Sequence, residues 1–209
     1  MLLSGAIFVP EGDENVNGEP FRARVILSDP PWQFNNVKTG GSLKSGAEAQ
    51  YATMTPDEIA GIPVQAVTGS AAACFLWVPA SLKFSHGGPV LAAWGFRYVG
   101  TVYWNKNRLG MGFWFRSQVE ELLYGVRGDL KPFRCQLPNL ITAPAGKHSE
   151  KPAAFHRLIE SATGSPLSST HLELFGRKKV PGWTVTGLEL TGRDVRDDLR
   201  MLASGRWTE

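Results

Sequence analysis

With 209 residues, 43% hydrophobic and 20% charged, the sequence has the composition of one ordinary globular domain long enough to bury a full core. A net charge of +3 suits a polyanionic partner without requiring one. Two cysteines without a CxxC pair exclude a disulfide framework and fit a reducing cytoplasm, and four scattered histidines with no i, i+4 pair give no support to a metal-dependent mechanism.

In chain order, Met1 to Pro10 is apolar but lacks a basic n-region, and Glu11, Asp13 and Glu14 follow at once, so a signal peptide is not expected. No apolar run is long enough to span a bilayer, and the expected location is the cytoplasm. Val25-Ile26-Leu27 reads as a buried strand that stops at Ser28-Asp29-Pro30-Pro31, because prolines donate no ladder hydrogen bonds. That strand delivers Asp29 to its carboxyl end, where open α/β sheets place their active sites. Gln33 to Gln50 is polar and unpatterned, an expected mobile active-site loop. Thr55-Pro56-Asp57-Glu58 is a capping box with proline at the first helical position.

Ala72–Val78 is a second buried strand, Pro89–Trp94 a helix ended by Gly95, and Arg97–Trp104 a third strand. Gly110-Met111-Gly112-Phe113 reads as a flexible aromatic loop between that strand and another at Val119–Val126, with Leu140–Thr142 a further one. After Pro152, Phe155, Leu158, Ile159 and Ala162 form a core-facing helical stripe that Gly164 closes. His171–Phe175 and Trp183–Thr186 complete the strands, and Arg193–Leu202 reads as a charged surface helix, a C-terminal tail. The alternation argues a single α/β domain of three layers around a mostly parallel sheet.

The segment Asp29-Pro30-Pro31-Trp32 carries the chemistry. As a turn it would need neither both prolines nor a tryptophan. As a catalytic segment it gives every residue a role. An exocyclic aromatic amine is a poor nucleophile, since its lone pair is delocalised into the ring, and an enzyme must hold its N–H groups with acceptors. Asp29 offers a carboxylate. The carbonyl of Pro30, held extended because Pro31 follows, offers a second acceptor at a set angle. Trp32 is expected to stack on an extruded base.

With this segment go Tyr51-Ala52-Thr53-Met54, Leu76-Trp77-Val78, Trp94-Gly95-Phe96, Trp104-Asn105-Lys106, Gly110 through Arg116, Glu120 with Gly125 and Gly128, His148 to Pro152, Glu173-Leu174-Phe175-Gly176-Arg177 and Gly182-Trp183. In content and order these resemble the MT-A70 family of adenine methyltransferases, its bacterial and phage members most. The resemblance implies a Rossmann-like S-adenosylmethionine-dependent methyltransferase fold in which the catalytic motif precedes the cofactor-binding strand. It also implies methylation of the N6 amino group of adenine in nucleic acid, DNA rather than RNA, by direct in-line transfer to a flipped or single-stranded base. By the same resemblance Asp29, Lys151, Glu173, Phe175, Gly176, Arg177 and Glu189 bind S-adenosylmethionine, and Tyr51, Lys106, Arg116 and Glu120 lie on the substrate side. Gly187-Leu188-Glu189 departs from the family's Gly-Asn-Glu, which removes a polar contact to the cofactor.

Other readings stay open. The same two acceptors fit cytosine N4, although Asp at the first position favours adenine. A catalytically inactive nucleic-acid-binding member is a second alternative, against which the intact motif stands, and a homodimer or a partner subunit is compatible with the sequence. Gly40 to Gly46 with Lys44 and Ser45 has the wrong residue order for a phosphate loop, and Lys178-Lys179 beside Arg177 reads as a solvated turn or a phosphate contact.

Overall fold

The computed structural model describes residues 19–33, 53–110, 114–131, 133, 136–146, 150–164 and 170–208. Tyr51, the expected Gln33 to Gln50 loop beyond Gln33, Met111 to Phe113 and His148 lie outside these.

Seven strands form one sheet: β1 (Ala23–Ser28), β2 (Thr68–Val78), β3 (Arg97–Asn105), β4 (Val119–Arg127), β5 (Leu140–Thr142), β6 (His171–Leu174) and β7 (Trp183–Thr186), in the order β5-β3-β4-β2-β1-β6-β7. β4 is antiparallel to both of its neighbours, β2 and β3, and the other four pairings are parallel. The sheet is therefore mixed but mostly parallel, and six strands present their carboxyl ends to one edge, where β4 begins. Along β2 the side chains alternate between two buried clusters, Ala72, Cys74, Leu76 and Val78 in one and Ala73, Phe75 and Trp77 in the other. Period-two alternation sends them to opposite faces. Helices α1 (Pro56–Ala60), α2 (Gly88–Ala93) and α5 (Val195–Ala203) bury residues in the first cluster, and α3 (Ala154–Thr163) buries Phe155 and Ile159 in the second. Three layers result, the α/β architecture expected.

Local signals explain most boundaries. Thr55 accepts from the backbone N–H of Glu58, and the Glu58 carboxylate accepts from the N–H of Thr55, closing the capping box. The N–H and the hydroxyl of Thr55, both donated to the Glu58 carboxylate, hold that carboxyl below the usual carboxylate range. Gly95 takes φ +84°, where a Cβ is disfavoured, and turns the chain from α2 into β3.

Three expectations need correction, and one element is added. The C-terminal helix is not a surface element: α5 begins at Val195 behind the Asp194 N-cap and buries Val195, Asp198, Leu199 and Leu202. Its one buried charge, Asp198, accepts from Thr191 Oγ1 (2.8 Å) and Arg193 Nε (2.7 Å), so the carboxylate is satisfied inside the fold. Strand β2 starts at Thr68 rather than Ala72. β6 stops at Leu174 because Phe175 has φ +64°, outside the β region. A further one-turn helix, α4 (Leu188–Thr191), is too short for periodicity to reveal. Among the described residues no helix is long and apolar enough to cross a membrane.

Candidate active site

β1 runs between β2 and β6, and Asp29 follows directly from its last residue, with its N–H reaching the carbonyl of Leu174 at the end of β6. The next residues are fixed by backbone bonds. Pro30 accepts from the N–H of Trp32 (2.8 Å), Pro31 accepts from Met54 and Met54 accepts from Gln33, a short parallel bridge that ties the proline segment to the chain entering α1.

Trp32 is 4% exposed, belongs to the cluster on the α1, α2 and α5 face, and donates its indole N–H to the carbonyl of Trp77 at 2.9 Å. This corrects the expectation that Trp32 stacks on a base. Its ring is occupied by the core, and its role is to anchor the segment that carries Asp29.

Asp29 points the other way. Its Oδ2 accepts from Lys151 Nζ at 2.7 Å, and the same ammonium lies 3.6 Å from Glu120 Oε2 on β4 and 5.2 Å from the centre of the Trp77 ring. Glu120 Oε1 in turn accepts from Lys106 at 3.2 Å. Two carboxylates and two ammoniums thus alternate from the end of β1 across to the β3–β4 connection. Burial alone would push the Lys151 ammonium down; the Asp29 and Glu120 carboxylates override it and hold the group above the ordinary lysine value. Lys151 is consequently a fixed cation at neutral pH and cannot serve as a base.

Beside Asp29, the ends of β6 and β7 approach each other closely. Gly176 donates its N–H to the carbonyl of Thr186 (2.8 Å), and a Cβ on Gly187 would fall 2.2 Å from the Gly176 oxygen. Only glycine fits there. Arg177 and Glu189, which follow these two glycines, pair at 3.4 Å while both remain about half exposed. Lys178 pairs with Glu150, the residue before Lys151, so the turn after β6 is tied to the segment that carries the central lysine.

The structure therefore brings Asp29, Lys151, Glu120 and Lys106 into direct contact, with the Phe175-Gly176-Arg177 turn and Glu189 at the same sheet edge. Two expected residues stand otherwise. Glu173 does not face that edge freely: its Oε2 lies 2.8 Å from His156 Nε2 of α3, and His156 packs edge-on against Trp183. Arg116 is exposed, and its hydrogen bond goes to the carbonyl of Gly110 rather than to the Asp29–Lys151–Glu120–Lys106 chain. Sequence reasoning gives no site role to Trp77 or His156, and no local pattern marks either, since each acquires its role from a residue distant in the chain. No group of three or more His, Cys, Asp or Glu able to hold a metal ion exists among the described residues.

The family model described as MT-A70 matches residues 23–189. The N(6)-adenosine-methyltransferase non-catalytic subunit METTL14 of Xenopus tropicalis is 27% identical over 194 residues, 83% of this chain and 41% of its own length, and METTL14 of Xenopus laevis gives the same figures. The N(6)-adenine-specific methyltransferase METTL4 of Mus musculus is 24% identical over 207 residues, 90% of this chain and 41% of its own. The chain spans about two fifths of the length of these curated relatives.

Proposed function

The chain belongs to the MT-A70 family, and from that premise we propose that it is an S-adenosylmethionine-dependent methyltransferase acting on the N6 amino group of adenine in nucleic acid. The observation that carries this reading is Asp29 at the carboxyl end of the interior strand β1, held by Lys151 at 2.7 Å and followed by a proline segment anchored through Trp32. DNA is the polymer proposed, on the resemblance of the motifs to those of bacterial and phage members.

The donor set fits the cofactor. Carboxylates at Asp29 and Glu189 would accept from the cofactor's ammonium and ribose hydroxyls, Arg177 would add donors, and the tight Gly176 and Gly187 crossing leaves backbone rather than side chains at the strand ends. When bound, S-adenosylmethionine supplies a methyl group on a positively charged sulfonium. The protein's own residues do the rest. An ionised carboxylate has about four acceptor positions; Lys151 takes one on Asp29, and another accepts an N–H of the adenine amine. The Pro30 carbonyl already accepts from Trp32 and has a second lone pair for the other N–H. Held at both hydrogens, the amine turns its lone pair toward the electrophile, and the Asp29 charge favours the positive charge that develops on nitrogen. Glu120 and Lys106, joined to Asp29 through Lys151, border the substrate side.

A second reading has its own observation: METTL14, which this chain resembles, is by name a non-catalytic subunit. Under it the chain binds nucleic acid for a catalytic partner. Incubation with cofactor carrying a labelled methyl group and separate pools of DNA and RNA, followed by nucleoside mass spectrometry, tests both. N6-methyladenine formed by the chain alone supports the enzyme; label on cytosine N4, or none on any nucleoside, removes the reading.

A further inference from the structure

Between β3 and β4 the chain leaves the sheet at the same carboxyl edge as Asp29. Lys106 donates its backbone N–H to Gln118 (2.9 Å) and Gly110 donates to Ser117 (2.7 Å), which brings the two sides of the connection together. A Cβ on Gly110 would sit 2.7 Å from the Ser117 oxygen, so the close approach depends on glycine. Beyond these rungs stand two aromatic rings that the core does not use: Trp114 is 96% exposed and Phe115 91%. Two consecutive large aromatic residues left this exposed are the kind of apolar surface that marks an interaction site.

The charge around them says what it binds. From Lys106 to Gln118 the sequence has three cations, Lys106, Arg108 and Arg116, and no acid. Arg108 is exposed, and Arg116 holds the carbonyl of Gly110 through its Nε while remaining exposed. Lys106 is the far end of the charge chain that runs through Glu120 and Lys151 to Asp29. A second copy of this chain would set the same cations against themselves. A polyanion whose bases have open faces satisfies both the rings and the charges, because a stacked base buries an aromatic face whatever its identity while Arg and Lys hold the phosphates. Paired bases keep those faces against each other; an unpaired strand presents them.

We propose that Trp114 and Phe115, flanked by Arg108 and Arg116, form a stacking platform for an unpaired polynucleotide strand, placed to feed a neighbouring base to Asp29. The proposal rests on the nucleic-acid reading above but requires no methyl transfer. It assigns the platform to affinity and strand state, leaving Asp29 and Pro30 to recognise the amine.

Tryptophan fluorescence offers a direct test. Five of the seven tryptophans, Trp32, Trp77, Trp94, Trp104 and Trp183, are almost fully buried and Trp207 is half-buried, so quenching by a bound base reports Trp114. The full chain is titrated without cofactor with fluorescein-labelled oligonucleotides, single-stranded DNA, single-stranded RNA and duplex DNA, following anisotropy, and with unlabelled ones, following emission. At least one single strand is expected to bind more tightly than the duplex and to quench emission. Trp114→Phe keeps a ring and is expected to retain affinity while losing the quench. Trp114→Ala with Phe115→Ala is expected to weaken single-strand binding by about tenfold or more. Arg108→Ser with Arg116→Ser is expected to reduce the single-strand salt slope by about 1.4. Wild-type affinity in the double alanine variant, duplex binding with equal quenching, or a change of sedimentation state with unchanged strand affinity would each overturn the platform. Wild type that binds strand but methylates nothing sinks only the catalytic reading.

Discussion

Lys151 bridges Asp29 and Glu120, with its ammonium 2.7 Å from the first carboxylate and 3.6 Å from the second, although Asp29 lies 122 residues away in the chain. Without that cation the two carboxylates would share the mouth of the site and repel.

Lys151→Met should therefore slow methyl transfer roughly ten- to a hundredfold, because it removes the cation that holds Asp29 at 2.7 Å and leaves the Asp29 carboxylate to face that of Glu120. Lys151→Arg, which keeps the charge, should recover part of the rate. Single-turnover rates of the folded variants decide it, and a wild-type rate in Lys151→Met removes the bridging role.

The same lysine makes a thermodynamic prediction. Its folded-state value is raised above the ordinary 10.5, so its contribution to stability is complete below that pH and is lost as pH rises through the higher folded value. Denaturant unfolding followed from neutral pH into the alkaline range should show wild type losing stability there while Lys151→Met stays flatter. Parallel curves would contradict the coupling.

Trp32→Ala should destabilise the fold by about 3–5 kcal/mol, the cost of emptying a large buried site. Trp32→Phe, which mainly loses the bond to the Trp77 carbonyl, should cost about 1 kcal/mol for the hydrogen bond plus a packing term. At a temperature where Trp32→Phe is folded, it should retain nucleic-acid affinity, since the ring it alters is in the core. A large loss of base binding at unchanged stability would return Trp32 to the substrate.

How much of the molecule is legible in its sequence follows from how local each feature is. The exit of β1 and the capping box at Thr55 are written in adjacent residues, prolines that cannot donate and side chains that reach three positions, and the stripe from Phe155 to Ala162 repeats at helical spacing. The face into which Trp32 turns is not local: it depends on the carbonyl of Trp77 from the neighbouring strand. Nor is the pairing of Glu120 with Lys151. The α5 stripe of Val195, Leu199 and Leu202 is present in the sequence but carries Asp198 in its midst, and a buried aspartate looks like a surface residue until Arg193 and Thr191 are seen to satisfy it. Motif position alone assigns Glu173 to the cofactor; that His156 takes its carboxylate depends on how α3 packs on β6.

Gly187→Ala places a methyl group 2.2 Å from the Gly176 oxygen, a backbone atom that cannot swing aside. Separating the β6 and β7 ends should cost about 1–3 kcal/mol and weaken cofactor binding at the same time. Calorimetric unfolding and titration with S-adenosylmethionine measure the two effects. A variant with reduced stability and full cofactor affinity would detach this crossing from the binding site.

The most direct test is Asp29→Asn in a single-turnover assay with bound cofactor and an adenine-containing strand. The amide preserves size but puts a donor where the amine's own N–H must be accepted, and it removes the charge that offsets the developing cation. A preorganised contact of this kind is worth about 3–4 kcal/mol, so the rate of N6-methyladenine formation should fall by a factor on the order of a hundred to a thousand, with cofactor affinity changed far less. A variant that retains more than about a tenth of the wild-type rate would contradict the assignment of Asp29 as the acceptor on which the chemistry depends.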